Sequence, residues 1–382
     1  MYDEDYLPFE ASEYSQRLTR VREEMDRRGI DVLMVYWPEN INYLTGFDSL
    51  GYFSYQCLVV PIEGEMTHIV RRMERDNVLV RSVVENCVTY GEGKDPVEAT
   101  LDVVREYGPQ GKKIAAELDG WFLTSARYKE LVADFSIDDG SQIINQVRLV
   151  KSPAELEQVK KSVTALEAGF LAALPLCVEG SNENDIAAEF MRASIAAGSE
   201  YTGHAPLISS GPRSEQTFAT WKRRTLQAGD VMFFEPGAAY NRYPAMAIRT
   251  LSIGTPSDDL KKFSDVSIEG LNRLLEEIKP GMSGHEIDEI TRAIPEAHGM
   301  GEFRIGRSGY SIGIGYPPDW GEGRTYSVGP GETKPLQEGM VLHVINPMHR
   351  EGSLKVGFSE TVVLTAEGCE VLTSLERKLL VQ

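Results

Sequence analysis

Two periods run through the first part of the chain. "SEYSQRLTRVREEMDRRG" (12–29) carries apolar residues at helical spacing and stops at Gly29, and the apolar run "DVLMVYW" follows at strand length. "QCLVVPIEG" and "KKIAAELDG" are further strand-sized runs, while "DPVEATLDVVREYG" returns to the helical period. Strands alternating with helices predict an α/β domain over residues 1–150. At "VRLVKSPAELEQVKKSV" the pattern changes. Ser152 is a helix N-cap, Pro153 fits the first turn and Glu155 completes a capping box, so a long helix opens a second domain over residues 151–382.

That second domain repeats itself. "VEGSNENDIAAEF" (178–190) pairs with "KPGMSGHEIDEIT" (279–291), matching Gly180 to Gly281, Asp185 to Glu286 and Ile186 to Ile287. Later, "LQAGDVMFFEPGA" (226–238) pairs with "LQEGMVLHVINPM" (336–348). Either match alone is weak, because a glycine followed by an acid and an isoleucine is a common helix entry. Two matches in the same order are much stronger. They predict two halves, each of helices followed by strands, related by a pseudo-twofold axis, with a ligand site at their joint.

Composition narrows the partners. Over 382 residues the formal net charge is −19, with no Lys/Arg-rich run, which argues against a nucleic-acid partner. No apolar run reaches membrane-spanning length, and the acidic start lacks the basic-then-apolar order of a secretory signal. Cys57, Cys87, Cys177 and Cys369 are scattered, so a disulfide framework is not expected and a reducing cytoplasm is the simplest location.

Candidate chemistry sits in the second domain. Glu235 is the lone acid of the apolar strand "DVMFFEPG", and Glu360 lies inside the apolar alternation of "VGFSETVVLT". A carboxylate in a buried strand is costly unless paired, and two acids converging from opposite halves would share a proton and separate their titrations. The loop "YSIGIGYPPDWGEG" (310–323) sets Tyr310, Tyr316 and Trp320 beside Asp319 and Glu322, a composition suited to holding a delocalised cation.

The paired halves resemble the pita-bread fold of the family of methionine aminopeptidase, aminopeptidase P, prolidase and creatinase. The resemblance implies an α/β creatinase-like N-terminal domain and an α+β pita-bread C-terminal domain with a pseudo-twofold internal duplication. Five metal-ligand positions of that family fall here on Glu235, Met246, Tyr310, Ile345 and Glu360, which leaves two acids and implies neither a metal nor another cofactor. "YSIGIGYPPDWGE", "VLHVI", "FSE" and "NINYLTGFDSLGYFSYQCLVV" resemble the metal-free branch, ectoine hydrolase most of all. The implied activity is hydrolysis of a non-peptide C–N bond in a small nitrogenous metabolite, an amidine or guanidinium-like compound. Glu235 would be nucleophile or base, and Glu360 would bind the substrate nitrogen or share the proton. Tyr310 and His343 would stabilise an oxyanion and deliver protons, and Arg249 would anchor a substrate carboxylate or else form a structural salt bridge. Tyr316, Asp319 and Trp320 would line the pocket. A family histidine falls on Phe218, with His204 nearby as a substitute. In relatives a neighbouring subunit reaches into the site, so Tyr52, Phe53 and Tyr55 would complete it in a homodimer. An Xaa-Pro metallopeptidase and a non-catalytic binding protein are the rival readings.

Overall fold

The computed structural model describes residues 7–91, 93–108 and 110–382, and the chain divides into two units, 1–148 and 149–382. In the first unit, helix α1 (Ala11–Arg28) ends where Gly29 takes φ 67°, a left-handed conformation that glycine adopts without strain. Strand β1 (Val32–Val35), helix α2 (Pro38–Thr45), a 3-10 turn over Leu50–Phe53 and strands β2 (Cys57–Pro61) and β3 (Thr67–Arg71) follow. Then come α3 (Arg75–Arg81), β4 (Asn86–Tyr90), α4 (Pro96–Glu106), β5 (Ile114–Ala116), α5 (Ser125–Asp134), β6 (Ile137–Asp139) and α6 (Ile143–Arg148). The strands form one mixed six-stranded sheet in the order β4-β3-β2-β1-β5-β6. Val32, Met34 and Tyr36 pack one face of β1 against helices such as α4, through Val97, Leu101 and Val104.

The second unit opens on α7 (Pro153–Ala173), capped by the reciprocal Ser152–Glu155 box. Helix α8 (Glu183–Ala196) and strands β7 (Leu207–Ser210), β8 (Val231–Glu235), β9 (Gly237–Tyr240), β10 (Tyr243–Met246) and β11 (Arg249–Ser252) complete its first half. The second half has α9 (Asp258–Glu277), α10 (Gly284–Ala297), β12 (Gly309–Ser311), β13 (Ser327–Val328), β14 (Val341–Ile345), β15 (Met348–Arg350), β16 (Leu354–Val356) and β17 (Ser359–Thr365). Strands β18 (Gly368–Val371) and β19 (Leu380–Val381) end the chain. The sheets run β19-β11-β8-β7 and β13-β12-β14-β17-β18, with the hairpins β9-β10 and β15-β16 inserted at equivalent points.

The duplication holds at atomic detail. Gly180 (φ 87°) and Gly281 (φ 92°) make the same turn, and their amides donate to Leu226 O and Leu336 O, each at 2.9 Å. Pairing of β8 with β11 sets Phe234 opposite Arg249, and pairing of β14 with β17 sets Val344 opposite Glu360. Thr250 and Thr361 are therefore equivalent, and each clasps the other half. Thr250 Oγ1 donates to Gly357 O and accepts from Gly357 N, at 3.0 and 2.9 Å. Thr361 Oγ1 does the same with Met246 O and N, at 2.8 and 3.1 Å.

Among the described residues no helix is long and apolar enough to cross a membrane.

Candidate active site

Alternation along two equivalent strands builds the site wall. In β8, Met232 and Phe234 enter the core under α7 and α8, so Phe233 and Glu235 face the other way. In β14, Leu342 and Val344 enter the core under α9 and α10, so His343 and Ile345 face outward from it. Strand β8 lies between β7 and β11, so Glu235 does not sit on a sheet edge. Glu235 is half-buried, and among the described residues no hydrogen bond reaches its carboxylate. Loss of water raises its pKa to about 7, opposed by the charge of Lys355. Lys355, on β16, is 6% exposed, and its Nζ stands 4.3 Å from the Phe233 ring centroid. Burial lowers its pKa and Glu235 raises it. No hydrogen bond from the described residues reaches this ammonium either.

Across the site, Tyr310 Oη lies 2.9 Å from His343 Nδ1, and His343 Nε2 lies 2.7 Å from Ser359 Oγ. Trp320 Nε1 donates to Tyr310 Oη at 3.1 Å. Burial holds His343 near pKa 3, so the imidazole is neutral, and burial followed by the charge of Glu235 raises the Tyr310 pKa. The site thus sets an unspent carboxyl in electrostatic reach of both an ammonium and a buried, hydrogen-bonded hydroxyl.

With this geometry the family question has an answer. The description "Metallopeptidase family M24" matches residues 157–366, more than half of the chain, and "Creatinase/Prolidase N-terminal domain" matches 17–150. The chain belongs to metallopeptidase family M24. Its relatives include the ectoine hydrolase of Halomonas elongata, 28% identical over 397 residues, covering 98% of this chain and 99% of that one. A Xaa-Pro dipeptidase of Pyrococcus furiosus is 26% identical over 366 residues, covering 96% and 99%. Among solved structures, a prolidase from Thermococcus sibiricus superimposes with a TM-score of 0.87 at 23% identity, covering 97% and 99%. A dipeptidase from Mycobacterium ulcerans gives 0.85 at 22% identity, covering 98% and 99%. The pita-bread fold is shared along nearly the whole length, and this M24 chain is a member of a hydrolase family.

Whether its residues suit the metal centre that the family name implies is a matter of donors. Register corrects one expectation here. Glu360 shares a face of β17 with Val362 and Leu364, which enter the helix-side core. Ser359 is the residue turned to His343. The site-facing set is therefore Glu235, Met246, Tyr310, Ile345 and Ser359, with one carboxylate among them. A thioether, an aliphatic side chain, a phenol and a serine hydroxyl make poor partners for a hard divalent cation. Among the described residues no group of three or more His, Cys, Asp or Glu side chains could hold a metal ion. The donor set does not fit the family's metals.

Glu360 does not meet Glu235. Its Oε1 pairs with Arg249 Nη2 at 2.8 Å, Thr373 Oγ1 donates to its other oxygen, and Arg377 lies 3.7 Å away. Arg249 is equally committed. Besides Glu360 it donates to the carbonyls of Ile248, Ser359, Leu375 and Glu376, and it is fully buried, so it has no fork left for a substrate carboxylate. Lys355 is the cation that sequence reading overlooked. Its only signal was a lysine standing alone in the apolar stretch "LKVGF".

The loop after β12 splits in the same way. Tyr310 and Trp320 enter the site, but Arg307 already covers the Tyr310 ring at 4.2 Å. Tyr316 packs under Arg242 at 4.7 Å. Asp319 Oδ1 accepts from the loop amides of Trp320 and Gly321, and Glu322 forms a buried pair with Lys151 at 2.6 Å. The loop's acids are thus spent on structure, and the expected cation cage loses them. His204 bonds Ala205 O at 2.7 Å, with its ring 4.7 Å from Trp320 and 5.9 Å from the exposed Phe218.

The first-unit aromatics also separate. Tyr55 is a core residue bonded to Tyr36 and Thr100, which removes it from any neighbour's site, whereas Tyr52 lies against Phe122 and Phe53 is 81% exposed.

Proposed function

We propose that this chain hydrolyses a non-peptide C–N bond in a small cyclic amidine or guanidino compound, without a metal or another cofactor. The observation that carries the reading is Glu235, among the described residues the one carboxylate on the site face and one that no hydrogen bond reaches, close enough to Lys355 and Tyr310 for each to feel its charge. The similarity to ectoine hydrolase supports it. A protonated amidine carbon is already electrophilic, and Glu235 offsets its charge. Glu235 takes a proton from water as the water oxygen bonds to that carbon and the C=N electron pair moves to nitrogen. The proton then passes to the leaving nitrogen as the C–N bond breaks. The added hydroxyl closes to the amide carbonyl, and its own proton leaves through Glu235 to the freed amine. Lys355 binds an anionic group of the substrate in the role denied to Arg249. Glu235 acting instead as nucleophile would need the same residues.

The protein is proposed to work in the cytoplasm as a homodimer to which the exposed Phe53 contributes, and a monomer in sedimentation would exclude that assembly. The similarity to Xaa-Pro dipeptidases favours a metallopeptidase, against which the donor set argues. Purified protein should be analysed for metals and assayed, with and without chelator, on ectoine and other cyclic amidines, creatine-like guanidines and proline dipeptides. Turnover of an amidine or guanidine that survives chelation is the expected result. Two metal ions per chain with chelator-sensitive dipeptide cleavage would overturn the proposal, and a thermal shift without turnover would make the pocket a binding module.

A further inference from the structure

The hydrogen bonds behind Tyr310 fix the direction in which its proton points. Ser359 is fully buried, and its Oγ meets two partners, the Ile248 amide at 2.6 Å and His343 Nε2 at 2.7 Å. The amide can only donate, so it takes one Oγ lone pair. If an Nε2–H donated as well, the serine proton would have no acceptor among the described residues, an orphaned buried donor. The serine proton therefore goes to Nε2. A neutral imidazole then carries its one proton on Nδ1 and gives it to Tyr310 Oη at 2.9 Å. Trp320 Nε1–H, also an obligate donor, reaches the same oxygen. Two donors occupy Oη, so the tyrosine's own proton points away from both rings. Tyr310 is 8% exposed where Ser359 is 0%, and that proton, unlike the serine's, has solvent to meet.

We infer that Ser359 and His343 are positioning residues that turn the Tyr310 hydroxyl into a hydrogen-bond donor toward the Glu235 site. There it meets the substrate atom that gains negative charge. Burial and then the charge of Glu235 raise the Tyr310 pKa, so the carboxyl stands within electrostatic reach of that donor. The serine and histidine touch no substrate and work through the phenol alone. That last step rests on the hydrolytic reading, whereas the ring tautomer does not.

The test separates the two. In 15N-labelled protein, with the His343 signals assigned by their loss in His343→Gln, Nδ1 should be the protonated ring nitrogen and Nε2 the bare one. A proton on Nε2 overturns the inference whatever the enzyme does. On a panel compound that turns over, Tyr310→Phe should lower kcat by about 10²-fold, the scale of one lost transition-state donor. Ser359→Ala should mix the two tautomers and lower kcat by about tenfold with KM held, and Ser359→Thr should restore both. Wild-type kcat in Tyr310→Phe, or an unchanged ring spectrum and rate in Ser359→Ala, would likewise overturn it. If no panel compound turns over, the hydrolytic reading falls, while the ring spectrum still decides the tautomer.

Discussion

Glu117, buried, and Glu235, half-buried, are two carboxyls whose pKa values loss of water raises to the same figure, about 7, yet they occupy opposite situations. Glu117, after β5 in the first unit, accepts from the amides of Tyr36 and Trp37 at 2.7 and 2.8 Å and from Asn40 Nδ2 at 2.5 Å. Asn40 is in turn held by Arg148 at 2.6 Å. Each hydrogen bond to that carboxyl comes from a fixed donor, although the charge of Asp119 also acts on it. Glu235 has a charge nearby and no donor at all among the described residues. A raised pKa therefore does not mark a functional acid; the unfilled lone pairs do.

The comparison breaks first on activity. Glu235→Gln keeps size and removes charge, so kcat on a panel substrate should fall by about 10²-fold or more while the melting temperature holds or rises. Glu117→Gln should leave kcat at the wild-type level and lower the melting temperature at pH 5, because its amide would meet the Asn40 amide donor to donor. Equal turnover in the two variants would erase the distinction.

A second measurement sharpens the role of Lys355, the companion that Glu117 lacks. Lys355→Met should raise KM about tenfold for a carboxylate-bearing substrate and leave KM for its uncharged amide unchanged, the loss expected for one charge-assisted hydrogen bond. Equal losses for both compounds would show that the lysine serves packing.

The smallest effect is on stability against pH. A carboxyl whose folded pKa is raised keeps a proton that the unfolded chain releases. Its stabilisation is complete below the unfolded value, near 4.5, and disappears as pH rises to about 7. The urea midpoint should therefore fall between pH 4.5 and 7 and level off above. Each Glu→Gln variant should flatten part of that slope, and the double variant should flatten it further. A midpoint rising with pH through that window would contradict both assignments.

Local rules written in the chain were legible: the Gly29 stop, the Ser152–Glu155 box and the paired glycine turns all depend on residues a few positions apart. So was Glu235, because an acid closing an apolar strand stands out in one dimension. Long-range pairings were hidden. Arg249 meets Glu360 across 111 positions and Lys151 meets Glu322 across 171, so each looked available until the fold supplied its partner. The exchange of Ser359 for Glu360 has a subtler cause. A shift of one residue reverses a strand's faces, and the irregular step at Gly357 and Phe358 between β16 and β17 hides the register from a sequence motif. Lys355 stayed invisible because it gains meaning only when its short hairpin brings it over Phe233.

The reciprocal threonine clasp makes the seam of the second unit read the same from either side, as the seam between two identical subunits does. Away from that seam the copies differ: Glu235 stands where the other half has Ile345, and His343 where the first half has Phe233. The unit is in effect a dimer fused into one chain, in which one copy kept the acid and the other the hydroxyl relay. On the proposed reading neither copy holds a complete site, and the covalent tether makes their meeting independent of protein concentration.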